Sequence, residues 1–223
     1  MRENRTKLLG DRIYQQLKID IITCRYHPGE SLTELDLANK FDVSRTPIRE
    51  VCNRLMKEDL LQSIPYKGYI VSPVKLQDLH ELYQIRLVLE PYAAELAARN
   101  AKPALIKQLR SILKVTVKSN QNEKQSFLTF IEADLDFHNA LAQASGNARL
   151  ARIVSDLRDQ IARLVYLIYE HYGAYQHSGF KEHEQVLKAI ESGDPKLARK
   201  IMTQHIHNYR DRAMQALSSD GLL

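Results

Sequence analysis

The sequence predicts a mainly α protein in two parts: a small N-terminal domain of three helices and a β-hairpin, then an antiparallel all-α bundle. Three observations predict it. From Leu76 onward apolar residues recur at helical spacing, punctuated by breakers, with no strand-like run between them. Short strand-like runs occur instead at Leu60 to Ile64 and Tyr69 to Ser72, flanking the breaker-rich Pro65-Tyr66-Lys67-Gly68. Ser72-Pro73-Val74 then interrupts the pattern, giving domains at residues 1–72 and 76–223 with a linker at 73–75.

Met1 to Lys7 is polar and basic and reads as a frayed terminus. Leu9 to Cys24 is helical, with Ile13, Leu17 and Ile21 spaced by four, and Tyr26-His27-Pro28-Gly29 is a turn. Thr33 to Lys40 reads as a short helix with Thr33 and Asp36 at capping-box spacing and with Leu35 and Ala38 facing inward. Phe41-Asp42-Val43 is a tight connection. Ser44 to Leu55 is the next helix, with Ser44 as N-cap and Pro47 tolerated in the first turn, where amide donors have no intrahelical partner. The whole reads as helix, turn, helix, with the hairpin after it as a wing.

The second of those helices has two unlike faces. Ile48, Cys52 and Leu55 form an apolar stripe, while Arg45, Arg49 and Asn53 lie on another side. Two arginines at the start of a helix that follows a tight turn suit a major groove, so the predicted partner is double-stranded DNA. Arg45 and Arg49 would reach guanine edges, with Ser44, Thr46, Thr33 and wing residues Lys67 and Gly68 along the backbone. Asn53 and Arg54 are weaker candidates. Bulk charge adds little: the net charge is +5, and residues 1–72 carry 12 Lys and Arg against 10 Asp and Glu. The function therefore rests on where two side chains point.

The bundle segments run from Leu76, then from about Pro103 to Asn120, Lys124 to Ala144, Ala148 to Tyr172, Tyr175 to Ser192 and Pro195 to Ala216. Whether a short extra helix lies between Asn120 and Phe127 is left open, so six or seven helices are expected. Leu79, Leu82, Leu89, Ala93 and Leu96 trace the stripe of the first. Tyr83, Tyr166 and Tyr169 read as surface residues able to form a homodimer contact, because a single reading helix covers too few base pairs for useful specificity.

Three bundle segments place ionisable residues on apolar faces. Phe127, Ile131, Asp134, His138 and Leu141 share one; His183, Leu187 and Ile190 another; Ala198, Met202, His205 and Tyr209 a third. Asp134, His138, His183 and His205 would thus meet in one core, which is costly unless something satisfies them. A divalent metal would: zinc first, with nickel, manganese or iron as alternatives. For any one histidine a hydrogen-bonded core role is the simpler reading, and His27, His80, His171, His177 and His207 are read as non-ligands. Arg86, between Leu82 and Leu89, wants an anion, which Glu90 one turn on or another bundle carboxylate would supply.

Three function classes follow: an effector-responsive DNA-binding regulator, a direct metal sensor, and a metal-dependent enzyme targeted by the N-terminal domain. The enzyme is disfavoured by the lack of a His-Glu-x-x-His helix or a Gly-rich phosphate loop. Cys24 and Cys52 alone make a disulfide framework improbable, and the absence of a long uncharged apolar run argues against a membrane span or signal peptide, so a cytoplasmic location is expected.

The stretch PGESLTELDLANKFDVSRTPIREVCNRLMKEDLL with the Gly-bearing wing resembles the winged helix-turn-helix domain of GntR-family bacterial transcription regulators. The motif DLDFH at 134–138, EHEQVLKAI at 182–190 and the later histidine at 205 resemble the FCD effector domain of the FadR subfamily. The resemblance implies that Arg45 and Arg49 contact a GT or AC step in a palindromic operator bound by a homodimer. It also implies that Asp134, His138, His183 and His205 hold the metal, that Arg86 grips a small carboxylate effector which also coordinates it, and that the regulator is a repressor.

Overall fold

The computed structural model describes residues 2–117, 123–172 and 179–218. The chain falls into two compact units, Met1–Lys75 and Leu76–Leu223.

In the first unit α1 spans Arg2–Ile22. The helix thus runs back through the segment expected to fray, since Arg, Glu and Lys are good helix formers and nothing in MRENRTK breaks it. Ile13, Tyr14, Leu17 and Ile21 are buried in a core completed by Leu37, Ala38, Ile48, Val51, Cys52, Leu55, Leu60 and Leu61. Buried Asp20 accepts from Lys40 Nζ at 2.9 Å and from Arg25 Nη1 at 3.1 Å, tying α1 to the end of the next helix.

That helix, α2, spans Glu34–Phe41. The expected cap is present: Thr33 Oγ1 accepts from the Asp36 amide at 3.1 Å and donates to Asp36 Oδ2 at 2.6 Å. Its inward face differs from expectation. Leu37 and Ala38 are buried, whereas Leu35 is 59% exposed. At about 100° per residue Leu35 lies roughly 200° from Leu37, so packing on the following helix selects 37, 38 and 41 and turns Leu35 to solvent. After Asp42, in the left-handed conformation at φ 52°, α3 spans Arg45–Lys57 and buries Ile48, Val51, Cys52 and Leu55. Ser44 has the extended backbone of an N-cap but makes no side-chain cap bond.

The wing strands are β2 (Leu61–Ile64) and β3 (Gly68–Val71). A strand that periodicity missed, β1 (Ser31–Leu32), joins them in the order β1-β3-β2, all antiparallel. Its two residues are too few to show a period of two. Leu32 lies opposite Tyr69, and Ile64 opposite Gly68. Gly68 sits at φ +102°, and a Cβ there would meet the Leu32 carbonyl oxygen at 2.6 Å.

In the second unit the described residues form six helices: α4 (Leu76–Arg99), α5 (Pro103–Val117), α6 (Glu123–Ala144), α7 (Ala148–Tyr172), α8 (Gly179–Glu191) and α9 (Pro195–Ser218). Residues 118–122 and 175–178, where an extra helix and the start of the fifth segment were considered, lie outside the described residues. Helix α4 is central, packing on α6, α7, α8 and α9. Its buried residues include Leu79, Tyr83, Arg86, Glu90, Ala93, Ala94 and Ala97, so Leu79 and Ala93 of the predicted stripe are buried while Leu82, Leu89 and Leu96 flank them. The stripe missed Tyr83, Arg86 and Glu90 because the centre of the face carries two charges.

Of the tyrosines expected at the surface, Tyr83 and Tyr166 are buried, and Tyr169 is half-buried and stacks on Phe127 with ring centroids 3.7 Å apart. Large apolar side chains exposed on α4 are instead Ile85, Val88 and Tyr92.

Candidate functional site

In the first unit Arg45, Arg49 and Lys67 line a recess of about 440 Å³ together with Thr33, Glu34 and Gly68, among others. Ser44 and Thr46 are exposed beside it at the start of α3. Arg45 and Arg49, one turn apart, converge on Glu34 at the N-terminus of α2. Arg45 Nε and Nη2 donate to Glu34 Oε2 at 3.1 and 2.8 Å. Arg49 donates from Nε to Oε1 and from Nη2 to Oε2, both at 2.9 Å. The Arg49 hydrogen bond, opposed by partial burial and joined by that from Arg45, lowers the Glu34 pKa to about 2. Arg54 is elsewhere, bonded to Asp11 at 2.7 Å and lying over the Tyr14 ring, so it braces α1. Spacing alone could not find Glu34, whose partners are 11 and 15 residues away.

In the second unit Asp134, His138, His183 and His205 come together as the sequence pattern predicted. One ligand atom from each lies within 4.8 Å of all the others, and all four residues are buried. The three Nε2 atoms form a triangle with every edge 3.2 Å. Asp134 Oδ1 lies 3.4 Å from His183 Nε2 and 3.7 Å from His138 Nε2.

Groups that sequence reasoning missed orient this set. Glu90 Oε2 lies 2.5 Å from His138 Nδ1, and Glu182 Oε2 lies 2.7 Å from His205 Nδ1. Each carboxylate assigns the proton to Nδ1, so the Nε2 lone pairs of His138 and His205 face the centre. The Phe137 ring stacks on His183 at 4.3 Å. Glu182 also accepts from Asn208 Nδ2 at 2.8 Å. The signal for Glu182 was its place beside His183; for Glu90 it was the one-turn spacing from Arg86.

Burial, then the neighbouring imidazoles, holds the pKa values of His183 and His205 well below 6.5. Neutral imidazoles with converging lone pairs repel unless a cation or proton sits among them. Nitrogens 3.2 Å apart leave room for zinc–nitrogen bonds of about 2.0–2.1 Å, so His138, His183 and His205 would hold such an ion together. The donor set, three imidazoles and a carboxylate, suits a divalent transition metal.

Two arginines complete the surroundings. Arg86 Nε donates to Glu90 Oε1 at 2.6 Å, the partner expected one turn on, and both residues are buried. Arg158, unnoticed in the sequence, donates to Asp134 Oδ2 and lies 4.0 Å from Glu90 Oε1. Burial, reinforced by Arg86, pushes the Arg158 pKa down to about 10. Burial alone would raise the Glu90 pKa, but Arg86, His138 and Arg158 hold it well below 4.5. Of the other histidines, His80 is exposed and bonded to Gln84, and His27 and His207 lie outside the cluster. The side chains of His171 and His177 lie outside the described residues.

Residues 9–71 match the model for bacterial regulatory proteins of the gntR family, and residues 81–208 match the FCD domain. The Uxu operon regulator of Haemophilus influenzae is 33% identical over 93% of this chain and 83% of its own. The HTH-type transcriptional repressor RspR of Escherichia coli is 25% identical over 95% of this chain and 92% of its own. Among solved structures, E. coli McbR/YncC superposes with a TM-score of 0.81 at 22% identity, covering 93% of this chain and 97% of that one. A reading helix with a wing, followed by a helical domain matched over most of its length, is the build of a DNA-binding regulator, and this chain belongs to the GntR family of bacterial transcription regulators, in its FCD-bearing branch.

Proposed function

We propose that the protein is an effector-responsive repressor that binds a palindromic operator as a homodimer in the cytoplasm and senses a small carboxylate through a metal held in the second unit. The observation that carries the metal is the convergence of three imidazole Nε2 atoms and a carboxylate oxygen in a buried centre. Asp134, His138, His183 and His205 would hold the ion, zinc first, with nickel, manganese or iron as alternatives. Bound there, such an ion offers Lewis-acidic positions to carboxylate oxygens.

Residues 1–72 form the reading domain in this proposal, 73–75 the linker and 76–223 the effector and dimerisation domain. Arg45 and Arg49 read bases, while Thr33, Ser44, Thr46, Lys67 and Gly68 follow the backbone. Their exposure and the shared recess support the assignment. The exposed stripe Ile85, Val88 and Tyr92 on α4, spaced at i, i+3 and i+7, supports a contact between copies. The names of relatives, RspR and the gluconate operon repressor of Bacillus licheniformis, support repression.

Arg86 is the proposed grip on the effector. Its bond to Glu90 means that a carboxylate must share or displace that partner, and the effector changes DNA affinity only by its preference for one state of the regulator. The same bond favours a second reading, in which the metal alone is the signal. A thermal-shift screen of full-length protein against small carboxylic acids, with and without zinc, nickel or manganese, decides between them. A shift needing both metal and one acid supports effector sensing; DNA affinity that responds to metal alone supports the second. No metal-dependent shift would remove both.

A further inference from the structure

Glu34 is assigned no role by the reading above, yet both candidate reading arginines end on it. Its side chain is 13% exposed, against 62% and 60% for Arg45 and Arg49. Its backbone is fixed at the first turn of α2 by the Thr33 cap, and the Tyr69 hydroxyl of β3 lies 3.5 Å from Oε1. One carboxylate thus joins α2, α3 and the wing strand.

The contacts are made on one edge of each guanidinium. Arg45 and Arg49 both use Nε and one N–H of Nη2. Of the five N–H bonds on a guanidinium, the two on Nη1 and one on Nη2 are not used by Glu34, and both side chains are largely exposed. Those suffice for the paired contact to guanine O6 and N7. Holding a long side chain in one rotamer before binding removes an entropic cost that would otherwise fall at the DNA.

We propose that Glu34 is a positioning residue for base recognition: it holds Arg45 and Arg49 side by side with their outer edges presented to the major groove. The proposal rests on the reading that these arginines contact bases. Its carboxylate stays ionised at any pH where DNA is bound, since its pKa is lowered to about 2. That charge faces a polyanion, so Glu34 weakens binding to every DNA while sharpening the choice among sequences.

The test uses full-length protein and a library of duplexes carrying a randomised core, selected in parallel with wild type, Arg45→Ala, Arg49→Ala, Glu34→Gln and Glu34→Asp. Wild type should enrich a palindrome, and each arginine variant should lose preference at its own base pair. Glu34→Gln should lose preference at both of those positions, roughly tenfold each, the size of one lost base-edge pair. It should also bind unselected duplex more tightly, with a salt dependence steeper by about one charge. Glu34→Asp keeps the charge but draws back the carboxylate, and should lose preference without that gain. Melting curves confirm that each variant is folded. The proposal is overturned if either folded Glu34 variant keeps wild-type preference, or if preference is lost only at positions the arginine variants leave unchanged. Wild type enriching no sequence would instead remove the base-reading assignment, and the positioning role with it.

Discussion

Glu90 Oε2 lies 2.5 Å from His138 Nδ1 while its Oε1 accepts from Arg86 at 2.6 Å, so one buried carboxylate on α4 joins the candidate metal ligand to the candidate effector grip. The first of these bonds fixes the tautomer of His138 and aims its Nε2 at the other imidazoles. Glu90→Gln should therefore weaken metal binding by roughly 10- to 100-fold, the usual cost of losing an outer partner of a ligand histidine. Competitive titration against a chromogenic chelator measures this directly, and unchanged affinity would count against the tautomer argument.

Among the three imidazoles, His183 is the one whose Nδ1 has no hydrogen-bond partner among the described residues, so removing it strands no carboxylate there. His183→Ala should abolish stoichiometric metal binding and leave operator affinity of the metal-free protein close to wild type. Metal analysis by mass spectrometry beside a DNA-binding titration would show it. Retained metal in this variant would show that the ion sits elsewhere.

Burial and mutual repulsion lower the pKa values of His183 and His205 well below the ordinary imidazole value of 6.5. The unfolded chain then binds more protons than the native one as pH falls below 6.5, so the metal-free protein should lose stability on acidification. Each group adds a slope of at most about 1.4 kcal/mol per pH unit. Urea melts of chelator-treated protein between pH 7.5 and 5.5 test the sign; a flat or rising stability would contradict it.

On the reading face, Arg45→Ala and Arg49→Ala should each cost about 1–3 kcal/mol of discrimination at one base pair without unfolding the domain. Equal loss on all sequences would make them backbone contacts.

Burial, with a smaller contribution from Glu34, pushes the Cys52 thiol up to about 12. At pH 8 the thiolate fraction is on the order of one in ten thousand, so native Cys52 should resist alkylating reagents that modify it readily in urea. Fast labelling of the folded protein at this residue would contradict its place in the core.

The four-residue cluster was legible because its members repeat the apolar phase of three helices, a periodicity that needs no knowledge of packing. The helix-turn-helix was legible for the same reason, with the Thr33 cap read from spacing alone. Arg158, Glu34 and the second role of Glu90, toward His138, escaped because each acts through a partner on another element or through a charge that looks like surface. Leu35 and Tyr83 were misplaced for a related reason: amphipathic faces on short or fully packed helices are chosen by neighbours, and neighbours are not written in local sequence. Strand β1 was missed because two residues acquire strand geometry only by pairing with β3.

Gly68 was expected to follow the DNA backbone, and the Leu32 carbonyl oxygen lies 2.6 Å from where its Cβ would be. The seam between the wing and the start of α2 is therefore sized for hydrogen. Any side chain at 68 would pry β3 from β1 and shift Thr33 and Glu34 with it. In a mutational scan this position would score as intolerant and DNA-deficient whether or not it touches a phosphate, so its contact role is read only from a variant that leaves the strands paired.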